Sequence, residues 1–228
     1  MEMLITLLED RETTVRLTAA DALGKIGDRK AEPFLLQAVH DSDPRVREAA
    51  VRSLGALSDA GGEAELELVR LLSDPEFGVR HAAAQALGTR EGTPALISAL
   101  TGLLTNPDPI VRQAAVHTLL LVDGHGALQA LSAGVTDDDP IVRQWVIAAL
   151  GETGDARAGP VLLERLRHDP AAGVRAEAAY RLQYIGDGSA AAEAKTIAEK
   201  DSSPDVRRWA EQRQGESGRV STPIQRVN

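Results

Sequence analysis

Cysteine is absent from the 228 residues, and the aromatic side chains number only two Phe, two Trp and two Tyr. The first absence excludes disulfides, thiolate metal ligands and a cysteine nucleophile. With aromatics at 3% and hydrophobic residues at 43%, the apolar mass is Ala, Leu and Val. Such small aliphatic side chains suit closely stacked helices better than a β-sandwich. Positive charge is also in short supply: 25 Lys and Arg face 34 Asp and Glu, a net charge of −9, with a pI near 5.1. No basic stripe opposes that balance, so the field repels phosphate backbones and no nucleic-acid partner is expected. No apolar run approaches the roughly 18 to 20 residues that span a bilayer. The N-terminal stretch Met1 to Asp10 has no basic segment ahead of its apolar positions and does not read as a signal peptide. The expectation is a soluble, cytoplasmic protein without a membrane partner.

What is present is a repeat. Val-Arg recurs at Val15-Arg16, Val46-Arg47, Val79-Arg80, Val111-Arg112, Val142-Arg143, Val174-Arg175 and Val206-Arg207, at intervals of 31, 33, 32, 31, 32 and 32 residues. Six residues before each arginine stands an acid or its amide: Asp10, Asp41, Asp74, Asn106, Asp137, Asp169 and Asp201. Four repeats place Pro two residues before the valine, at Pro44, Pro109, Pro140 and Pro204. Asp followed by Pro reads as a helix start, the acid capping free N–H groups and the proline preset for the first turn. Apolar residues four, eight and eleven positions past the valine, as in Ala50, Leu54 and Leu57 after Val46, form a helical stripe. Several of these helices stop at Gly-x-x-Gly-Asp or a variant, as in Gly24-Lys25-Ile26-Gly27-Asp28 and Gly151-Glu152-Thr153-Gly154-Asp155, where glycine can adopt a left-handed cap. A second amphipathic segment, such as Ala31 to Val39 or Ala158 to Leu166, lies between successive Val-Arg helices. Each unit is thus a helical hairpin that must stack on its neighbours to bury its apolar faces.

An Asp, five residues and an Arg inside a two-helix unit resembles the HEAT repeat. The Asp-Pro-x-Val-Arg-x-x-Ala-Ala pattern with a following Leu-Gly is similar to the short bacterial HEAT-like repeats of the phycocyanobilin lyase subunit type. The resemblance covers residues 1 to 213. Neither the ankyrin Thr-Pro-Leu-His signature nor the TPR Trp, Gly and Tyr pattern recurs, although both families have periods of about 33 to 34 residues. The resemblance implies an all-α, right-handed α-solenoid of about seven two-helix repeats. It would occupy residues 1–214, in repeats near 1–28, 29–59, 60–91, 92–123, 124–155, 156–187 and 188–214, followed by a flexible tail over 215–228. Met1 to Leu8 supplies only a short first helix, which leaves room for upstream repeats. The segment Ala190 to Lys200 is more polar than the other first helices, as a terminal cap should be. Asn106 departs from the repeated acid, and Leu120 and Gln183 stand where other repeats have the glycine after the stripe.

Catalytic and metal signatures are sparse. The histidines His40, His81, His117, His125 and His168 are scattered and none precedes Glu, so the His-Glu pairs through which HEAT-repeat deoxyhypusine hydroxylase holds iron are missing. No His-x-x-x-His pair appears, and Gly124-His125-Gly126 lacks the residues that would complete a phosphate loop. No cofactor and no metal are expected, and an enzyme is the less favoured reading. HEAT-like alkylpurine glycosylases also exist, but their cationic groove is not evident in so acidic a chain.

The ladder pairs Asp10/Arg16, Asp41/Arg47, Asp74/Arg80, Asn106/Arg112, Asp137/Arg143, Asp169/Arg175 and Asp201/Arg207 keep one spacing throughout. They read as structural, each acid capping its helix and receiving a guanidinium from its own or a neighbouring repeat. Function is sought instead at outward positions of the Val-Arg helices, one before the valine and two, three and six after it. Repeats one and two are mostly polar there, with Asp21, Arg45, Glu48 and Arg52. Later repeats bring His81 and Gln85, then Ile110, Gln113 and His117, then Ile141, Gln144, Trp145 and Ala148, then Glu177, Tyr180 and Tyr184, with Trp209 in the last. Aromatics, Gln and His mixed with exposed Ile are the makings of a contact surface; the alternative is that Trp145 and Trp209 fill gaps between helices where other repeats carry Ala, with Tyr180 and Tyr184 packing against the terminal cap. Small Ala148 beside Trp145 leaves room for a partner's side chain.

The expected function is a non-catalytic scaffold that grips a helix or extended segment of another protein on the concave face, centred on repeats four to six. The alternative implied by the repeat subtype is a bilin lyase-like or phycobiliprotein-handling subunit. A third reading has an acidic outer surface meeting a basic partner. If the ladder is structural, Arg143→Ala lowers the melting temperature before it affects any ligand; unchanged melting with lost binding would reverse that assignment.

Overall fold

In the computed structural model, residues 1–57, 62–122, 127–185 and 188–211 are described. The tail expected over 215–228 and the string Gly124-His125-Gly126 lie outside them. The described residues are helical with no strand. The chain divides into two compact units, Met1–Thr153 and Gly154–Asn228. The first holds α1 (Glu2–Leu7), α2 (Thr13–Ile26), α3 (Glu32–Ala38), α4 (Pro44–Ala56), α5 (Gly62–Leu71), α6 (Phe77–Gly88), α7 (Pro94–Leu103), α8 (Pro109–Val122), α9 (Leu128–Ser132) and α10 (Pro140–Glu152). The second holds α11 (Gly159–His168), α12 (Ala172–Arg181), α13 (Gly188–Ala198) and α14 (Pro204–Glu211). Even-numbered helices carry Val-Arg and odd-numbered ones are their hairpin partners. In the first unit α2, α4, α6, α8 and α10 pack in series, each also touching the helix before it in the chain. In the second, α12 packs on α11, α13 and α14. This is the all-α solenoid arrangement.

The core follows the repeat. Eight residues past the Val of the first six repeats, Leu23, Leu54, Leu87, Leu119, Leu150 and Leu182 are all fully buried, and four past it Ala19, Ala50, Ala83, Ala115, Val146 and Ala178 are too. Burial of a leucine side chain contributes about 1.5–3 kcal/mol, so this layer supplies a large share of the stabilisation in each unit. The position eleven past the Val is not uniform: Leu57 and Ile185 are buried, whereas Ile26 is 53% exposed.

Each glycine of Gly-x-x-Gly has its own task. Gly27 ends α2 in the left-handed region at φ 69°. The first glycine is not a terminator: Gly24, and Gly55 at the same repeat position, lie inside their helices, where an added Cβ would come within 2.3 Å of Ser53 Oγ and 2.7 Å of the Ala86 Cβ respectively. They let consecutive Val-Arg helices approach closely, and the buried Ser53 hydroxyl donates to the Ala20 carbonyl across that junction at 2.8 Å. Where Leu120 replaces this glycine, α8 runs on to Val122, and α12 ends at Arg181 before Gln183 is reached.

The ladder joins repeats rather than closing within them. Arg16 Nε and Nη2 donate to the two carboxylate oxygens of Asp41 at 2.6 and 2.9 Å. Arg47 grips Asp74 at 2.9 and 3.0 Å, and Arg112 grips Asp137 at 2.7 and 2.8 Å. In the second unit Arg175 grips Asp201 at 2.8 and 2.9 Å. Meanwhile Nη1 of each arginine returns to its own repeat, for example Arg47 to the Asp41 carbonyl at 3.0 Å and Arg207 to the Asp201 carbonyl at 2.6 Å. Arg143 Nη1 donates likewise to the Asp137 carbonyl at 2.7 Å.

The expectation that each ladder acid caps its helix needs correction. Its Oδ1 accepts from the N–H two residues on, as at Asp41 to Asp43 (2.8 Å) and Asp169 to Ala171 (2.9 Å), in an Asx turn that precedes the helix. The cap itself is the later residue: Asp43 accepts from Arg45 N at 2.9 Å and Asp139 from Ile141 N at 2.7 Å. One rung is open. Asn106 Oδ1 makes the same turn with Asp108 N at 2.9 Å, but among the described residues Arg80 donates only to the Asp74 and Pro75 carbonyls, both at 2.7 Å, and not to Asn106. An amide turned this way offers an N–H group where the other rungs have a carboxylate oxygen.

At Asp41 and Asp137 partial burial pushes the carboxyl up, but the arginine bond and the turn N–H outweigh it. At Asp201 the Arg175 bond is the leading influence. All three stand below the ordinary carboxylate range, so the native state favours their charged forms. Their stabilisation is complete above the usual Asp value of about 3.9 and is lost as pH falls through the lower native values. Asp137→Asn should therefore lower stability at neutral pH and flatten its decline below about pH 4, followed by chemical denaturation across pH. An unaltered acid limb would show that the rung is not what titrates.

Candidate functional site

Helical geometry puts the positions one before and two, three and six after the valine on one side of each even-numbered helix. On α2 and α4 that side is ionic: Arg52 bonds Glu48 at 2.8 Å and Asp21 at 3.3 Å. Glu48 in turn lies over Gly78 at the start of α6, where any added Cβ would strike its carboxylate. From α6 onward the character changes to a row of rings. Phe77 stacks on His81 with centroids 5.8 Å apart, His81 stacks on His117 at 6.4 Å, and His117 meets the edge of Trp145 at 6.2 Å. The row crosses α6, α8 and α10 inside the first unit. Phe77 is 71% exposed, and Ile110 and Ile141 are 48% and 50% exposed on the same side of their helices. His81 and Gln85 are exposed; Gln113, His117, Gln144 and Trp145 are half-buried.

Position three past the Val explains Trp145. Ala49 and Ala82 occupy it on α4 and α6 and are buried. A tryptophan cannot be covered in the same space, so its ring emerges. Ala148, expected to leave room for a partner, is only 2% exposed and belongs to the core.

In the second unit, Tyr180 and Glu177 are 7% and 2% exposed and offer no open contact surface. Glu177 accepts from Arg181 Nε at 2.7 Å, and the Arg181 guanidinium lies 5.4 Å from the Tyr180 ring centroid. Tyr180 also packs against Tyr184 at 5.1 Å and Trp209 at 4.9 Å. Burial, and then Tyr184, push the Tyr180 phenol above its usual value. Tyr184 remains 62% exposed.

One ring of the row lies outside these offsets. Phe77 stands two before Val79, where four repeats have proline, and that substitution is its signal. Arg80 lies over the Phe77 ring, 5.9 Å from its centroid. Among the described residues no group of three or more His, Cys, Asp or Glu side chains is arranged to hold a metal. No described helix is long and apolar enough to cross a membrane.

The profile of HEAT repeats matches residues 1–67, 59–120, 103–183 and 128–213. The chain belongs to the HEAT-repeat family. No curated protein matches it. Among solved structures, the E. coli protein YibA is 21% identical over 92% of this HEAT-repeat chain and 79% of its own, with a TM-score of 0.53. The complex of CpcE and CpcF of phycocyanin lyase from Nostoc sp. PCC7120 is 21% identical over 92% of this chain and 91% of that one, TM-score 0.48. Human deoxyhypusine hydroxylase, in complex with glycerol, is 24% identical over 92% and 81%, TM-score 0.46. At these identities the likeness is one of fold.

Burial lowers the His117 pKa, the neighbouring His81 lowers it further, and Glu152 opposes both. The native state prefers its neutral form, so the associated stability is present above the ordinary value near 6.5 and lost as pH falls through the lower native value. In NMR titration His117 should titrate below the usual histidine range, His81→Ala should move it up and Glu152→Gln down. An unmoved His117 in both variants would mean that the imidazole is not electrostatically part of this row.

Proposed function

We propose that this HEAT-repeat protein is a non-catalytic scaffold that holds an extended or helical segment of another protein against the ring row of its first unit. The observation that carries the reading is the unbroken succession Phe77, His81, His117 and Trp145 across three consecutive repeats, at partly or fully exposed positions. Ring faces and edges offer large contact area with little side-chain entropy to lose. Exposed Ile110 and Ile141 extend the apolar area, while Gln85, Gln113 and Gln144 supply donors and acceptors for a peptide backbone. The reading assigns this side of the even-numbered helices to the concave face and moves the centre of the site from repeats four to six toward repeats three to five. Cytoplasmic action suits such a scaffold. A bilin-handling role rests on repeat subtype, with no side chain of the row to favour it.

Peptides selected from a displayed random library on the intact protein test the reading. The double variant His81→Ala/Trp145→Ala, with its helical content verified, should weaken selected peptides tenfold or more, since buried aromatic anchors dominate such interfaces. Peptides that bind the double variant with unchanged affinity would place recognition elsewhere.

A further inference from the structure

Four rungs show what the ladder fork does when its acceptor is supplied: it takes a carboxylate through Nε and Nη2, at 2.6 to 3.0 Å. At Arg80 the fork is held in the same way, Nη1 tied to the Asp74 and Pro75 carbonyls at 2.7 Å each. Among the described residues nothing accepts from its Nε or Nη2. The ladder position opposite is filled by Asn106, whose Oδ1 is committed to Asp108 N at 2.9 Å. The remaining atom of that amide is the donor Nδ2, standing where the other rungs place the carboxylate oxygen that meets Nε. At this junction the guanidinium fork and the amide both bring donors, and among the described residues neither repeat supplies the carboxylate that the other rungs have.

A second observation comes from the same repeat. Phe77, 71% exposed, stands where four of the other repeats have proline two before the Val. Its ring stacks on His81 and also lies under Arg80, 5.9 Å from the guanidinium carbon. The open rung thus adjoins the end of the ring row.

We propose that Arg80 and Asn106 form a carboxylate-binding site, which takes an Asp or Glu side chain or a free C-terminal carboxylate of a segment that continues over Phe77. The missing rung is completed by the partner. The placement of the segment rests on the ring-row reading; the carboxylate site does not, and can be tested without it. Planar, bidentate geometry favours carboxylate, and a fork already fixed by two carbonyls loses little freedom on binding.

The decisive variant is Asn106→Asp, which supplies the acceptor found in the other rungs and so keeps the fold. It should raise the Tm by about 2–4 °C while removing the site. In the wild-type protein, sodium acetate titrated at constant ionic strength should shift the Arg80 side-chain Nε–H resonance saturably, and this response should vanish in Asn106→Asp. Equal responses in both proteins, or none in the wild type, would overturn the proposal. Inorganic phosphate at the same ionic strength should shift the resonance less than acetate; a stronger phosphate response would overturn the carboxylate assignment. In the displayed library, peptides selected on the wild type should be enriched in Asp, Glu or a free C-terminus, and those selected on Asn106→Asp should lose that enrichment. Peptides that depend on the ring row but show no acidic enrichment would refute the site and leave the ring-row reading standing.

Discussion

A hairpin of two short amphipathic helices has too little apolar surface to stand alone, so everything here depends on the junction between one hairpin and the next. Among the described residues, four of these junctions are fixed by an arginine whose guanidinium faces two ways. Nη1 holds the turn of its own repeat through backbone carbonyls, while Nε and Nη2 grip the aspartate of the next. The same aspartate closes the turn that leads into its own helix. Two jobs converge on that carboxylate and a third on the backbone carbonyl of the same residue, which accepts from the arginine six residues on, so the spacing of six follows from the carbonyl bond. The pairs are mostly sheltered, with side chains of Arg47 and Asp74 only 14% and 7% exposed. Fork geometry then selects register as well as strength, because a lysine at the same position could not bond two oxygens while bracing a turn.

Once register and spacing are set by the rungs, the leucine layer and the glycines that admit close helix approach, the outward positions of the even-numbered helices are free to vary. On α2 and α4 they carry an ionic network; on α6, α8 and α10 they carry rings. The change occurs at Gly78, where the Glu48 carboxylate rests on bare backbone and ends the ionic zone beside Phe77 and His81. Repetition in the core thus permits sharp local differences on the surface, and those differences are where recognition chemistry collects.

The fold is legible in the sequence because helix geometry and the repeat interval impose visible periods: Val, then Leu eight residues on, in the first six repeats. The ladder is legible as a spacing, but not as a connection, since the fixed interval cannot say that the fork reaches the next repeat's acid rather than its own. Surface exposure is harder still. Gln85, His117 and Tyr180 share the same offset from their valines, yet the first is exposed, the second half-buried and the third buried. The offset gives a direction around the helix axis. What covers that direction, such as Trp209 beside Tyr180, belongs to another repeat. Phe77 is a residue of the opposite kind, recognisable once the proline position is compared across repeats.

A junction can lose its rung without coming apart only if other contacts hold it, and the α6–α8 junction has them. Leu87 and Leu119 are fully buried, and Gly88 admits Leu121 so closely that an added Cβ would lie 2.8 Å from the leucine Cβ. With the apolar contact intact, replacing one carboxylate by an amide changes the chemistry of the edge more than the architecture. The arginine stays braced by its own turn, so it is not released as a mobile surface charge but presented in a fixed direction. Natural proteins commonly break a local rule where function requires it and hold the position by neighbouring contacts. Here the rule broken is the Asp-Arg rung itself, at the repeat where the proline gives way to an exposed phenylalanine, and the coincidence of the two departures joins a structural irregularity to a recognition surface.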